Sequence, residues 1–403
     1  MKVCVVGGGT SGMEAAREAE ARGADVTVVE KSDLPDPPWR SWPAALGPGA
    51  TARSPPSGGE GGWTLLRKEA KSVREDRVTT ADGRSISADG IVMATGCGFE
   101  TVPFPGIRRR GVVVLDGISK YFELARAKGE AGRAVVCGDG FRALQVAEKL
   151  LEGGRVVRLL LDSWSNGEPS GSVLAAMKRA AMLQGLSFLR KPLSRALGGQ
   201  SVEAVVAAGE VVLCDVLVVV PRRVPRTVPS GLPLGCRGGY LVDHTLKAGG
   251  PPVYAAGGCA ELQTGPLSCA LADEAATTGR IAGANSTGEN LRVGPVKYES
   301  ETAFGVVWSR MALRGRATAS RDLLSTAHRR GETSACTITY ERAGGRAVSV
   351  EWVDEGRADS RSLMPPSPGM SLRSLAYASC GGSSDISLVS EAAREGLREW
   401  RRS

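Results

Sequence analysis

An α/β fold with two parallel-sheet units and a C-terminal α+β region is predicted by three observations. Two glycine-rich turns, at 7–12 and 138–143, each follow a short apolar run and precede a helical pattern. Two further apolar runs, ending at Ala94-Thr95-Gly96 and at Gly257-Gly258, have the length and β-branched content of buried strands. Beyond residue 296 the pattern reads as mixed, with strand-like runs at Cys336–Tyr340 and Ala347–Trp352.

The first turn carries the most information. Val3-Cys4-Val5-Val6 is too short for a helix and reads as a buried strand. It feeds Gly7-Gly8-Gly9-Thr10-Ser11-Gly12, a G-x-G-x-x-G turn, followed by a helical pattern from Met13 to Glu20 and a second strand ending at Glu30. Each position has a physical task in dinucleotide binding. Gly7 permits the tight turn, Gly9 lets the backbone approach a pyrophosphate, and Gly12 allows close helix packing. The helix start at Thr10-Ser11 offers unpaired N–H groups and a positive dipole end. Glu30, eighteen residues past Gly12, can accept from both ribose hydroxyls. The other account of this segment is a strand–helix turn with no ligand.

A second copy lies about 130 residues on. Arg133–Cys137 is strand-like, Gly138-Asp139-Gly140-Phe141-Arg142-Ala143 fits G-x-G-x-x-A, and a helix through Leu144–Leu151 leads to a strand ending at Asp162. Asp162 stands where a ribose acid belongs, and no Arg follows closely to receive a 2′-phosphate, so NADH is expected over NADPH. Asp139, beside the phosphate path, argues against a ligand here, because it would repel one.

Composition excludes several classes. The 403 residues are 42% hydrophobic, enough for sizeable cores, and the 53 Gly and 22 Pro show no short period, which rules out collagen-like and solenoid arrays. With only His244 and His328 among the histidines, a His-rich metal site and a Ser-His-Asp triad are both disfavoured. The nine cysteines contain no Cys-x-x-Cys pair and read as buried thiols. No apolar run approaches the ~20 residues of a membrane span, and no signal segment precedes the first strand, so a cytoplasmic protein is expected. The net charge of +8 is spread along the chain, Arg108-Arg109-Arg110 being its one dense run; nucleic acid is not an expected partner.

With both turns and the strands before Ala94-Thr95-Gly96 and Gly257-Gly258 in view, the chain resembles the FAD-dependent pyridine nucleotide–disulfide oxidoreductases. It is most similar to the NADH oxidase and coenzyme A-disulfide reductase branch. The resemblance implies two Rossmann-like domains: an FAD domain from 1–103 and 230–295, and an NAD(P)H domain inserted at 104–229. It further implies a C-terminal dimerisation domain at 296–403 and hence a homodimer. FAD contacts would fall at Gly7, Gly9, Thr10, Ser11, Gly12, Glu30, Lys31, Ala94, Thr95, Gly96, Gly257, Gly258 and Cys269. The helix starting near Cys269 would point its N-terminus at the flavin N1–O2 edge. NADH contacts would fall at Gly138, Gly140, Phe141, Arg142, Ala143 and Asp162. No catalytic side chain and no metal site are assigned.

The departures narrow the chemistry. Members that reduce disulfides or peroxides carry a redox cysteine after the strand ending in the ribose acid, whereas no cysteine lies between Cys4 and Cys97 here. Thiolate attack beside the flavin therefore has no residue to perform it. Gly258 stands where the family has an Asp for the ribityl chain, Pro221 replaces a family glycine, and Gln145 replaces a Glu near the nicotinamide. Cys97 reads as a packing residue and His244 as a surface histidine. Trp39, Trp42 and Trp63 either wall the flavin cavity or anchor a Pro-rich loop. The expected function is hydride transfer from NADH to FAD and onward to an acceptor needing no protein thiol: oxygen, a quinone or a small redox protein. The alternative is a degenerate member without turnover that binds a nucleotide in a structural or regulatory role.

Overall fold

The computed structural model describes residues 1–32, 62–74, 76–126, 132–164, 168–189, 192–250, 252–263, 275–294, 296–313, 324–330, 334–342, 346–355, 371, 375 and 384–400. They fall into two compact units, one drawn from 1–100 and 223–294, the other from 101–222 and 295–403.

In the first unit five parallel strands lie in the order Val253–Ala255, Gly90–Met93, Lys2–Val6, Asp25–Glu30, Thr64–Arg67. The first strand of the chain is central, with its neighbours reached by connections on either side. This makes the carboxyl end of Lys2–Val6 a topological switch point, where open α/β sheets bind ligands. Val3, Val5, Val28, Ile91, Val92 and Met93 are almost fully buried, as a sheet covered on both faces requires. The Thr10–Ala21 and Ala275–Ser286 helices cross at glycines: a Cβ on Gly279 would strike Ser11 O, and one on Gly283 would strike Ala15 O. The helix expected to start near Cys269 is seen as Ala275–Ser286, its expected start lying outside the described residues. A three-stranded antiparallel sheet, Ala70–Arg74, Arg77–Thr80 and Ser85–Ser87, is inserted before Gly90.

The second unit repeats the plan. Its parallel sheet has the order Ser187–Phe188, Val156–Ser163, Arg133–Asp139, Val216–Val220, Val112–Val114. The Gly140–Glu152 and Gly171–Leu183 helices follow two of these strands. The strand expected to end at Cys137 runs on to Asp139, and the helix expected from Leu144 starts at Gly140. The C-terminal stretch forms a five-stranded antiparallel sheet in the order Val296–Ala303, Val306–Leu313, Ala347–Glu355, Ala335–Glu341, Leu324–Arg330, with the Ser384–Trp400 helix packed on it around Trp352, Ile338, Ala392 and Ala393.

That sheet shares a unit with the second parallel sheet, and polar bonds join them. Phe304 N donates to Glu148 Oε1 at 2.6 Å, Ser170 N to Glu351 Oε2 at 2.7 Å, and Gln184 Nε2 to Phe304 O at 2.6 Å. Among the described residues no helix is long and apolar enough to cross a membrane.

Candidate functional site

The turn at 7–12 is built by steric necessity. Gly7 has φ +110°, and a Cβ there would strike Ala94 O; one on Gly12 would strike Gly7 O. Only glycine satisfies both positions, because the turn, the helix behind it and the neighbouring strand approach within backbone distance. Gly9 is different, since a Cβ there would meet no atom within 4 Å. The space in front of it is a cavity of about 490 Å³, in the range of a nucleotide pocket.

Gly7, Gly9, Glu30, Lys31, Ala94 and Thr95, all expected from sequence, line this cavity together. Glu30 is anchored from below: its Oε2 accepts from Gly8 N at 2.6 Å and its Oε1 from Ser32 N at 2.8 Å. The carboxylate is thereby held at the cavity wall beside the helix start. Ser11 is buried and Thr10 exposed at the first helical turn. Gly257 (φ +68°) would place a Cβ 2.5 Å from Ser11 Oγ, and its N–H donates to Thr278 Oγ1 at 3.1 Å. The 257–259 turn therefore packs directly against the first helix.

Gly258 is buried, and a Cβ added to it would collide with Cys97 Sγ, which donates to Gly258 O at 3.3 Å. The thiol fills the volume that a side chain at 258 would need. Gly96 (φ +67°) precedes it, with its carbonyl accepting from Arg226 N at 2.9 Å. Cys269, with Trp39 and Trp42, lies outside the described residues; Trp63 packs against the first core.

Among the cavity residues that sequence reasoning did not assign to the site, four carry a thiol or a cation. Cys97 was read as packing, and it both packs and lines the wall. Lys68, Lys71 and Arg226 bring cations to the cavity wall. The lysines sit on or before the antiparallel insert, and Arg226 lies far away in sequence, so no local spacing marks them.

The second turn shares the first turn's backbone logic. Gly138 (φ +131°) would place a Cβ against Val220 O, and Ala143 is fully buried at the close-packing position. Two side chains depart from expectation. The Arg142 guanidinium, expected at the cofactor, is buried and donates to Pro221 O at 3.1 Å, Leu115 O at 3.3 Å and Tyr121 Oη at 3.2 Å. It braces the underside of the helix, because position 142 faces the sheet. Gln145 points to the C-terminal sheet, donating to Thr302 O at 3.1 Å and Glu301 Oε2 at 3.3 Å. Phe141 lies on that same side, its ring centroid 4.6 Å from that of Trp308. Asp162 is exposed at the end of its strand.

The buried thiols are poorly suited to redox work. Burial pushes Cys4 up to about 12 and Cys214 up to about 11, and raises Cys137, Cys259 and Cys336 as well. Each is held protonated at neutral pH, and the thiolate is the reactive species.

Comparison with known proteins agrees with this geometry. Residues 1–279 match the family described as pyridine nucleotide-disulphide oxidoreductase. The ferredoxin reductase component of chlorobenzene dioxygenase from Cupriavidus sp. (strain PS12) is 27% identical over 173 residues, covering 39% of this chain and 41% of that protein. Rhodocoxin reductase from Rhodococcus erythropolis is 24% identical over 287 residues, covering 64% of this chain and 65% of the other. The chain thus spans less than two thirds of the length of either. Among solved structures, the water-forming NADH oxidase from Lactobacillus brevis superposes with a TM-score of 0.79 at 17% identity, over 100% of this chain and 99% of that one. Two parallel sheets with glycine turns at their switch points, a cavity against Gly9 and a family match over more than half the sequence lead to one conclusion. The chain belongs to the pyridine nucleotide-disulphide oxidoreductases, a family of FAD-dependent NAD(P)H oxidoreductases.

Proposed function

We propose that this protein takes hydride from NADH onto FAD and passes the electrons to a small redox protein, without using a protein thiol. The observation that carries the reading is the cavity against Gly9, whose walls fit an FAD. Gly9, just before the Thr10–Ala21 helix, leaves room for a pyrophosphate, and Lys31, Lys71 and Arg226 supply positive charge. Glu30, oriented by Gly8 and Ser32, is placed to accept from ribose hydroxyls. When bound, FAD supplies an N5 that accepts hydride and a ring that can release electrons singly.

The protein's own part is binding and positioning. Gly138, Gly140 and Phe141, with the start of the Gly140–Glu152 helix, would receive the nicotinamide nucleotide, and Asp162 its adenosine ribose. The choice of a redox protein over oxygen or a quinone is supported by two relatives whose names are those of a ferredoxin reductase component and rhodocoxin reductase. The absence of cysteine between Cys4 and Cys97 removes disulfide relay. The net charge of +8 favours encounter with an acidic partner. We assign the 296–403 region the role of joining two copies.

The test is the visible spectrum before and after anaerobic NADH. Flavin bands near about 375 and 450 nm that bleach on NADH, with ferredoxin-dependent cytochrome c reduction exceeding oxygen uptake, are the expected result. A colourless protein that takes up no FAD overturns the reading. FAD that binds and is not bleached favours the role without turnover, for which a covered Gly140 is the supporting observation.

A further inference from the structure

The two turns meet different surroundings at their second glycine. A Cβ on Gly140 would collide with Trp164 Cε3 and lie 2.9 Å from Cζ3, so the indole is laid on the glycine's open face. Gly140 also has φ +31°, in the left-handed region. Trp164 is half-buried and meets Phe141 edge to face, with centroids 5.3 Å apart and planes at 74°. Phe141 is in turn held by Trp308, which donates from Nε1 to Glu351 Oε1 at 2.8 Å.

A backbone irregularity delivers the indole there. The strands pair Gly138 with Leu161 and then Asp139 with Ser163, so Asp162 is the extra residue of a bulge. In the first unit the pairing of the equivalent strands ends at Val6 with Val29, before the turn begins. Bulges re-aim the residues around them. This one draws Ser163 onto the turn and carries Trp164 over Gly140.

We propose that Trp164 is a displaceable cover of the second turn: its indole holds the place against Gly140 that a dinucleotide pyrophosphate would take, and a nicotinamide nucleotide binds by lifting it. The proposal rests on the reading that this turn receives NAD(P)H. A site closed for part of the time binds more weakly by the fraction open, so Trp164 sets the apparent affinity without touching the reacting atoms. The inner ring of the stack is the buried Trp308; the half-buried Trp164 is the outer ring, the one free to leave.

The experiment compares the flavin-loaded wild type with Trp164→Ala by calorimetric titration of NADH and of ADP-ribose, which lacks the nicotinamide. Loss of one aromatic contact should tighten both ligands by about 3- to 10-fold. A purely structural role would not produce a gain in affinity. In wild type labelled with 5-fluorotryptophan, the resonance assigned by Trp164→Phe should shift on saturation with NADH, a readout that stands even if Trp164→Ala fails to fold. Equal or weaker binding in Trp164→Ala, or an unmoved resonance while NADH binds, overturns the cover. If NADH bleaches the flavin and the variant binds no tighter, only the cover falls. If neither protein binds NADH, the nucleotide reading of the turn and the cover fall together.

Discussion

The turns at 7–12 and 138–143 have nearly the same motif and nearly the same backbone constraints, yet one faces a cavity and the other an indole. Gly7 and Gly138 are pressed by the carbonyls of Ala94, just past one flanking strand, and Val220, at the end of the other. Gly12 and Ala143 sit at the helix–strand contact. The divergence begins at the second glycine, where Gly9 meets nothing and Gly140 meets Trp164. A glycine motif therefore specifies a turn, and residues beyond the next strand decide whether the turn is open.

The largest expected effect comes from exchanging the third motif position. Gly12→Ala drives a methyl into Gly7 O, and the atom struck is backbone, so no flexible side chain can yield. Overpacking of this kind should cost at least about 3 kcal/mol, enough to unfold the first unit in urea at concentrations the wild type survives. Ala143→Gly should cost only about 1 kcal/mol, the helix-propensity difference. Equal losses would mean that the two helix–strand contacts are equally tight, contrary to the geometry.

Next comes the second position, where stability and binding should separate. Gly9→Ala should leave unfolding without FAD unchanged and weaken FAD by about 10- to 100-fold, because the methyl enters the pyrophosphate's path. Gly140→Ala should lower stability by about 1–3 kcal/mol, since Trp164 must shift and the backbone is left-handed. A stability loss at Gly9, measured by thermal unfolding without FAD, would show that the cavity wall is tighter than the structure has it.

The acids give a smaller contrast. Glu30→Gln removes a charged acceptor from Gly8 N and from ribose, and FAD affinity should fall about tenfold. Asp162→Asn, at an exposed position in a bulge, should alter NADH affinity by less. Titration of each ligand against each variant decides it, and a greater loss at Asp162 would mean that the bulge re-forms the acid's position when the nucleotide enters.

The sequence is most legible where one local rule dominates. Val3–Val6, the 7–12 turn and Glu30 could be read directly, because strand length, glycine spacing and the acid's distance all lie within one βαβ unit. The same rules located the strand at Arg133–Cys137, which the structure extends to Asp139. What they could not reach is non-local. Nothing near residue 140 announces that Trp164 will lie on it, since that depends on a bulge in the neighbouring strand. Arg142 reads as a cofactor residue from its place in the motif, and its burial follows from the carbonyls of Leu115 and Pro221, which only the fold assembles. Cys97 and Gly258 exclude one another's volume across 161 residues.

The smallest contrast concerns the acids that pin the start of each central strand. Asp89 Oδ2 accepts from Lys2 N at 2.7 Å, and Asp215 Oδ2 accepts from Arg133 N at 2.8 Å, each acid standing just before the strand that pairs with the first. The second unit adds a guanidinium: Arg133 Nη2 donates to Asp215 Oδ1 at 2.9 Å. Hydrogen bonds from Arg133, side chain first and backbone next, hold the Asp215 carboxyl below the usual carboxylate range. A carboxyl depressed on folding stabilises the fold above its unfolded pKa of about 3.9, and that contribution is lost as pH falls through the lower, folded value. The difference in unfolding midpoint between wild type and Asp215→Asn should therefore be present at neutral pH and disappear in strong acid. It should be small, because the Asp215 and Arg133 side chains are 35% and 48% exposed, and smaller still in ~1 M salt. A difference that persists unchanged into acid would assign Asp215 the role of a neutral acceptor for the Arg133 amide, making the two units alike at this position.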